Sequence, residues 1–146
     1  VQALGGTAHR CRPQLGFAEV LASPAAQRDP LLGAAPPRLA AFHAHTFAFS
    51  PPADAEVLLV DDVCVQACRQ GRAWAFQCHP EVPAEWVRAL AAGLRHRDGD
   101  LLAATTAFFA DHGVSAERLE RDAASAESAM AATAALVASG FAAQLA

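Results

Sequence analysis

The chain has 146 residues, 53% of them hydrophobic, enough for one domain with a core and too few for two of ordinary size. All 11 basic residues are arginine, the formal net charge is -4 and no basic run occurs, which argues against a nucleic-acid partner. Cysteines 11, 64, 68 and 78 form neither a Cys-x-x-Cys pair nor the dense spacing of a small secreted scaffold, so reduced thiols in a cytoplasmic setting are expected.

The chain opens with VQALGG, where Leu4 is followed by two glycines that can take the left-handed conformation ending a helix. A start at Val1 instead of methionine suggests a fragment or a processed product. LGFAEVLAS (15–23) alternates as a strand does, and residues 24–37, with four prolines, predict an irregular connection with a helical turn near Leu31 and Leu32. Strands are then predicted at 38–45, 55–62, 63–70 and 73–79, with a hairpin at Gly71 between the last two.

Beyond Glu81 the pattern becomes helical. In residues 83–97 Pro83 lies near the first turn, and Trp86, Leu90 and Leu94 repeat every four residues. Two further helices are predicted, at 100–112 and about 115–144, the second capped by Ser115 with Glu117 and Glu120 near its positive end. The closing stretch AMAATAALVASGFAAQLA carries no charge. Its alanines are only weakly apolar, and Thr133, Ser139, Gly140 and Gln144 interrupt it, so a helix buried on one side is expected and no membrane partner. Strands followed by helices indicate an α/β layered domain.

AWAFQCHPEV (73–82) ends a strand on His79-Pro80-Glu81. The period of two turns His79 and Glu81 to one side, where the carboxylate can hold the imidazole tautomer and leave the other nitrogen free as a base for a cysteine or serine nucleophile. A strand end with an incidental ion pair produces the same tripeptide.

The segments ALGG, LGFAEV, FHAHTFAFSPPADAEVLLV and VQACRQGRAWAFQCHPEV, in this order over about residues 1–88, resemble class I glutamine amidotransferases, in particular the glutaminase part of GMP synthase. The resemblance implies the C-terminal part of a flavodoxin-like layered α/β domain at 1–88, with a helical extension at 89–146 packed on it. It also implies glutamine hydrolysis with ammonia passed to an acceptor synthase domain or subunit. His79 would be the general base, Glu81 its orienting partner and a glutamyl thioester the intermediate, with no cofactor. His43 would line the glutamine pocket.

Several positions depart from the family. Its Gly-x-Cys-x-Gly elbow lies before the residue corresponding to Leu4, and none of the four cysteines fits that pattern. Cys11 follows an expected loop, Cys64 and Cys68 fall in a strand, and Cys78 points away from His79. This chain alone is therefore expected to be inactive, and to expose an apolar sheet edge and face. Gln14-Leu15-Gly16 stands where the family has Glu-x-Gly, and His43-Ala44-His45 where it often has His-x-Asp. The alternatives are a non-catalytic pseudo-glutaminase module, a related γ-glutamyl hydrolase, and a metal site built from His43 and His45 with His79 or Cys78, against which no metal is expected.

Overall fold

The computed structural model describes residues 1–96 and 103–145. A 3-10 turn, Gln2–Leu4, ends on Gly5 at φ 92, the left-handed exit expected of the paired glycines. Strand β1 then runs over Thr7–Ala22, β2 over Arg38–Ser50, β3 over Glu56–Val60, β4 over Val65–Gln70 and β5 over Ala73–Phe76. Helices α1 (Ala84–His96), α2 (Ala103–Asp111) and α3 (Ala116–Leu145) follow. The expected start of the second helix at 100–102 and the last residue of the first, Arg97, lie outside the described residues.

The strands form one sheet in the order β2-β1-β3-β4-β5, and every pair is antiparallel. β1 and β2 are each longer than expected. Thr7 to Arg10 pair with Ser50 to Phe47, so Cys11 lies within a strand and not after a loop. The first half of β1 is mostly exposed on both faces, which removes the alternation by which a strand is read. Pro13 also lacks a ladder donor, and the register shifts between Arg10 and Gln14 around it. β4 and β5 form the hairpin expected at Gly71, whose φ of 59 suits the turn.

Two cores occupy the two faces. Val20, Leu32, Leu39, Ala41, Leu58 and Cys78 belong to one. Phe42, Val87, Leu90, Phe109, Leu119 and Met130 belong to the other, beneath the helices. Phe42 is the centre of this second core: Phe17 and Trp86 meet its ring edge-on at 5.3 and 5.8 Å, and Phe109 stacks at 5.9 Å.

The outer edge of β2 is met as well. Phe42 and His79 form an isolated bridge, with His79 N donating to Phe42 O at 2.8 Å and Phe42 N to His79 O at 3.3 Å. The sheet thus curls until residues beyond its last strand touch its first. The expected exposed apolar face is covered, since both faces carry a core.

α3 begins as the sequence indicates, with Ser115 Oγ accepting from Arg118 N at 3.2 Å. It is long and apolar enough to cross a membrane by length and composition. Here it spans both cores, through Leu119 and Met130 at one end and Leu136 and Val137 at the other. Its last turns lie against the loop that joins β1 to β2, where Phe141 meets Trp74 edge-on at 5.8 Å. Asp29 secures that loop. Its carboxylate accepts from Leu31 N and Leu32 N at 2.8 and 2.9 Å and from Trp74 Nε1 at 3.2 Å, and lies 3.0 Å from Arg69 Nε. The helical turn near Leu31 and Leu32 is present as a turn, while the 3-10 segment falls earlier, at Ala26–Arg28.

Candidate active site

β5 stops at Phe76, three residues short of the predicted strand end. Gln77 N still bonds to Gln66 O of β4, and then the chain bends and crosses to β2. Pro80 has no N–H with which to continue a ladder, so the chain turns directly after His79 and heads into α1. His79 therefore owes its position to Phe42, not to a strand period. Within this turn His79 Nδ1 lies 2.8 Å from Glu81 Oε1. A proton on Nδ1 donated to that carboxylate leaves the Nε2 lone pair free. The His79 side chain is 43% exposed. Cys78 points the other way, into the first core, as expected.

None of the chain's thiols is activated. Burial pushes Cys78 and Cys64 up to about 12, with Asp61 adding to the rise at both. Cys11 is raised by burial and by Asp61, and Cys68 by burial. A nucleophilic cysteine needs its pKa lowered.

His43 and His45 share the inner face of β2 with ring centroids 5.8 Å apart. His43 is 1% exposed, and neither ring nitrogen has a hydrogen-bond partner among the described residues. Burial lowers its pKa to about 4, so it is neutral near pH 7; Asp61 opposes this shift, and His45 and His79 reinforce it. His45 is lowered too, chiefly by burial, and its Nδ1 lies 3.8 Å from Cys11 Sγ. Among the described residues no three His, Cys, Asp or Glu side chains converge to hold a metal ion.

A polar network missed by sequence reasoning lies beside these histidines. Asp61 Oδ1 accepts from Val63 N and Cys64 N at 2.8 and 2.9 Å. Its Oδ2 accepts from Gln14 Nε2 at 2.5 Å and Gln66 Nε2 at 2.8 Å. Burial works to raise the Asp61 pKa, but these bonds and the nearby His43 outweigh it and hold the carboxyl below its ordinary range. The network gives a physical reason for glutamine at position 14. A glutamate there would set a second carboxylate against Asp61, whereas the amide donates to it. The available signal was the Asp61-Asp62 pair at the end of an apolar strand, together with the departure at Gln14.

A cavity of about 280 Å³ opens between β1 and the α2–α3 junction, with Gln14, Gly16, His43, Asp62, His112 and Arg118 in its walls. His79 and Glu81 are not among its lining residues.

No family model matches the chain, and a search of curated proteins found no match. Solved structures do resemble it. One is a glutamine amidotransferase from Thermotoga maritima, 17% identical with a TM-score of 0.73, the match covering 93% of this chain and 54% of that one. Another is a glutamine amidotransferase from Methylobacillus flagellatus, 23% identical with a TM-score of 0.64, covering 95% of this chain and 57% of that one. The chain thus spans a little over half the length of these structures. Its curled antiparallel sheet, covering helices and long C-terminal helix have the fold of class I glutamine amidotransferases.

Proposed function

We propose that this chain supplies the base-bearing part of a glutamine-hydrolysing amidotransferase of the cytoplasm. Residues 1–88 form the glutaminase portion and 89–146 a helical extension. The observation that carries the reading is the 2.8 Å pair of His79 Nδ1 and Glu81 Oε1, held at the curled sheet's closure on a half-exposed side chain. In this role His79 Nε2 takes the proton of a cysteine thiol as its sulfur attacks the glutamine amide carbon. The same imidazolium then gives that proton to the leaving ammonia, and Glu81 stabilises the charge in between. Water, deprotonated by His79, cleaves the glutamyl thioester to glutamate, and the ammonia passes to an acceptor synthase domain or subunit.

In this reading the thiol is supplied by a Gly-x-Cys-x-Gly elbow outside these 146 residues. The four raised thiols support this division of labour, and they equally favour a pseudo-glutaminase if the parent has no elbow. His43 takes part in binding glutamine, on the support of its place among the residues that line the cavity.

The test is acid-quenched intact-mass spectrometry of the longer protein mixed with glutamine. A glutamyl adduct on the elbow cysteine that disappears in His79→Ala is expected. A parent without the elbow, or an adduct that forms equally well without His79, overturns the assignment.

A further inference from the structure

The stretch from His79 to Trp86 returns twice to the same phenylalanine. At its start His79 N donates to Phe42 O at 2.8 Å and Phe42 N to His79 O at 3.3 Å. At its end Trp86, in the first turn of α1, meets the Phe42 ring edge-on at 5.8 Å with the planes 76° apart, and Trp86 N donates to Pro83 O at 3.1 Å. Phe42 is itself buried and held by Phe17 and Phe109. One ring therefore fixes both ends of the stretch that carries His79 and Glu81. Little else holds it: Glu81, Pro83 and Glu85 are exposed and Val82 is half-buried, leaving Pro80 and Ala84 as its buried residues. Pro80 and Pro83 fix φ at two positions, so a displacement at Trp86 passes toward His79 instead of being absorbed on the way. The His79–Glu81 pair is 43% and 68% exposed, and such a pair gains little by itself against water, so the shape of the backbone beneath it decides how often it forms. Val87 and Leu90 are buried and attach α1 to the core without help from Trp86, which is only half-buried.

We propose that Trp86 is a positioning residue for His79: by pinning the first turn of α1 to Phe42 it keeps the intervening loop in the shape that holds the Nδ1 proton on Glu81 and reserves the Nε2 lone pair for proton transfer. The clamp rests on the glutaminase reading only for what Nε2 does; holding the tautomer is a property of this chain. Trp86 takes no part in the chemistry and acts through the loop alone.

The experiment is heteronuclear NMR of the histidine rings at about pH 8, where an ordinary imidazole is neutral, to read the ratio of Nδ1–H to Nε2–H tautomers at His79. It is run on the chain in wild type, Trp86→Ala, Trp86→Phe and Leu94→Ala. Wild type is expected to hold His79 chiefly as Nδ1–H. Trp86→Ala should lower the ratio by about 3- to 10-fold, the size of one net hydrogen bond, and Trp86→Phe should keep most of it. Leu94 packs on the same core farther along α1, so Leu94→Ala should lower the melting temperature and leave the ratio unchanged. An unchanged ratio in folded Trp86→Ala overturns the clamp, as does an equal fall in Leu94→Ala, which would mark a general loosening of the core. A wild type chiefly in the Nε2–H form overturns it as well. If Trp86→Ala does not fold, Trp86→Leu is read in its place by the same criteria. No glutamine is present, so a ratio that falls as expected supports the clamp even where the glutaminase reading fails its own mass-spectrometric test.

Discussion

His43 owes its chemistry to burial. In the unfolded chain it takes a proton near pH 6.5; in the folded chain it resists until about pH 4. Between these values the unfolded state binds more protons, so its contribution to stability is complete above pH 6.5 and is lost as pH falls toward 4. The shift corresponds to roughly 3 kcal/mol. His45, lowered for the same first reason, adds a loss of the same sign. Asp61 acts separately: its folded pKa lies below 3.8, so its contribution holds above 3.8 and fails only as pH falls through that lower value. Urea unfolding of wild type and His43→Leu between pH 7 and pH 4 is the check. The variant should lose less stability over this range than wild type does. Equal slopes would mean that His43 is not held neutral by the fold.

At the scale of elements, α3 reaches the β1–β2 loop because Gly140 has no side chain. A Cβ at that position would stand 2.5 Å from Leu31 O and 2.9 Å from Leu31 Cα, both backbone atoms that cannot rotate away. Alanine gains roughly 1 kcal/mol over glycine in a free helix. Displacing the end of α3 from Leu31 and Trp74 costs about 1–3 kcal/mol, so strain should prevail and Gly140→Ala should melt at a lower temperature. Thermal unfolding decides it, and a raised melting temperature would show that helix propensity wins. The same junction shows what a sequence can signal. The helix period, the Ser115 cap, the Gly71 hairpin and the left-handed Gly5 are local, and each was legible. The approach of Gly140 to Leu31 joins residues far apart in the chain, and nothing near either one announces it. Likewise the exposed start of β1 has no alternation to read, and the end of β5 at Phe76 was hidden by the apolar run that continues through Cys78. The pairing of His79 with Glu81 was legible because two residues of a tripeptide must meet locally. The reason they meet was not, since the bridge to Phe42 is a tertiary contact, and the Gln14–Asp61–Gln66 network required three separate segments to converge.

In the whole molecule, the sheet's curl connects fold to chemistry. One side of Phe42's strand pairs with β1 beside the cavity, and the other takes up His79, so a single strand carries both the cavity wall and the anchor of His79. Surface ion pairs such as Arg88–Glu127, at 2.6 Å, and Arg95–Glu120 tie α1 to α3, yet exposed pairs add little to stability. The two apolar cores carry the fold. His79 and Glu81 lie at its margin, with 43% and 68% of their side chains exposed. The central claim, that they act as base and orienter, is tested most directly by the steady-state rate of ammonia release from glutamine by the elbow-bearing protein. Glu81→Gln is expected to lower kcat by roughly 10- to 1,000-fold at unchanged thermal stability, and His79→Ala to lower it further. Wild-type rates in both variants would contradict the account.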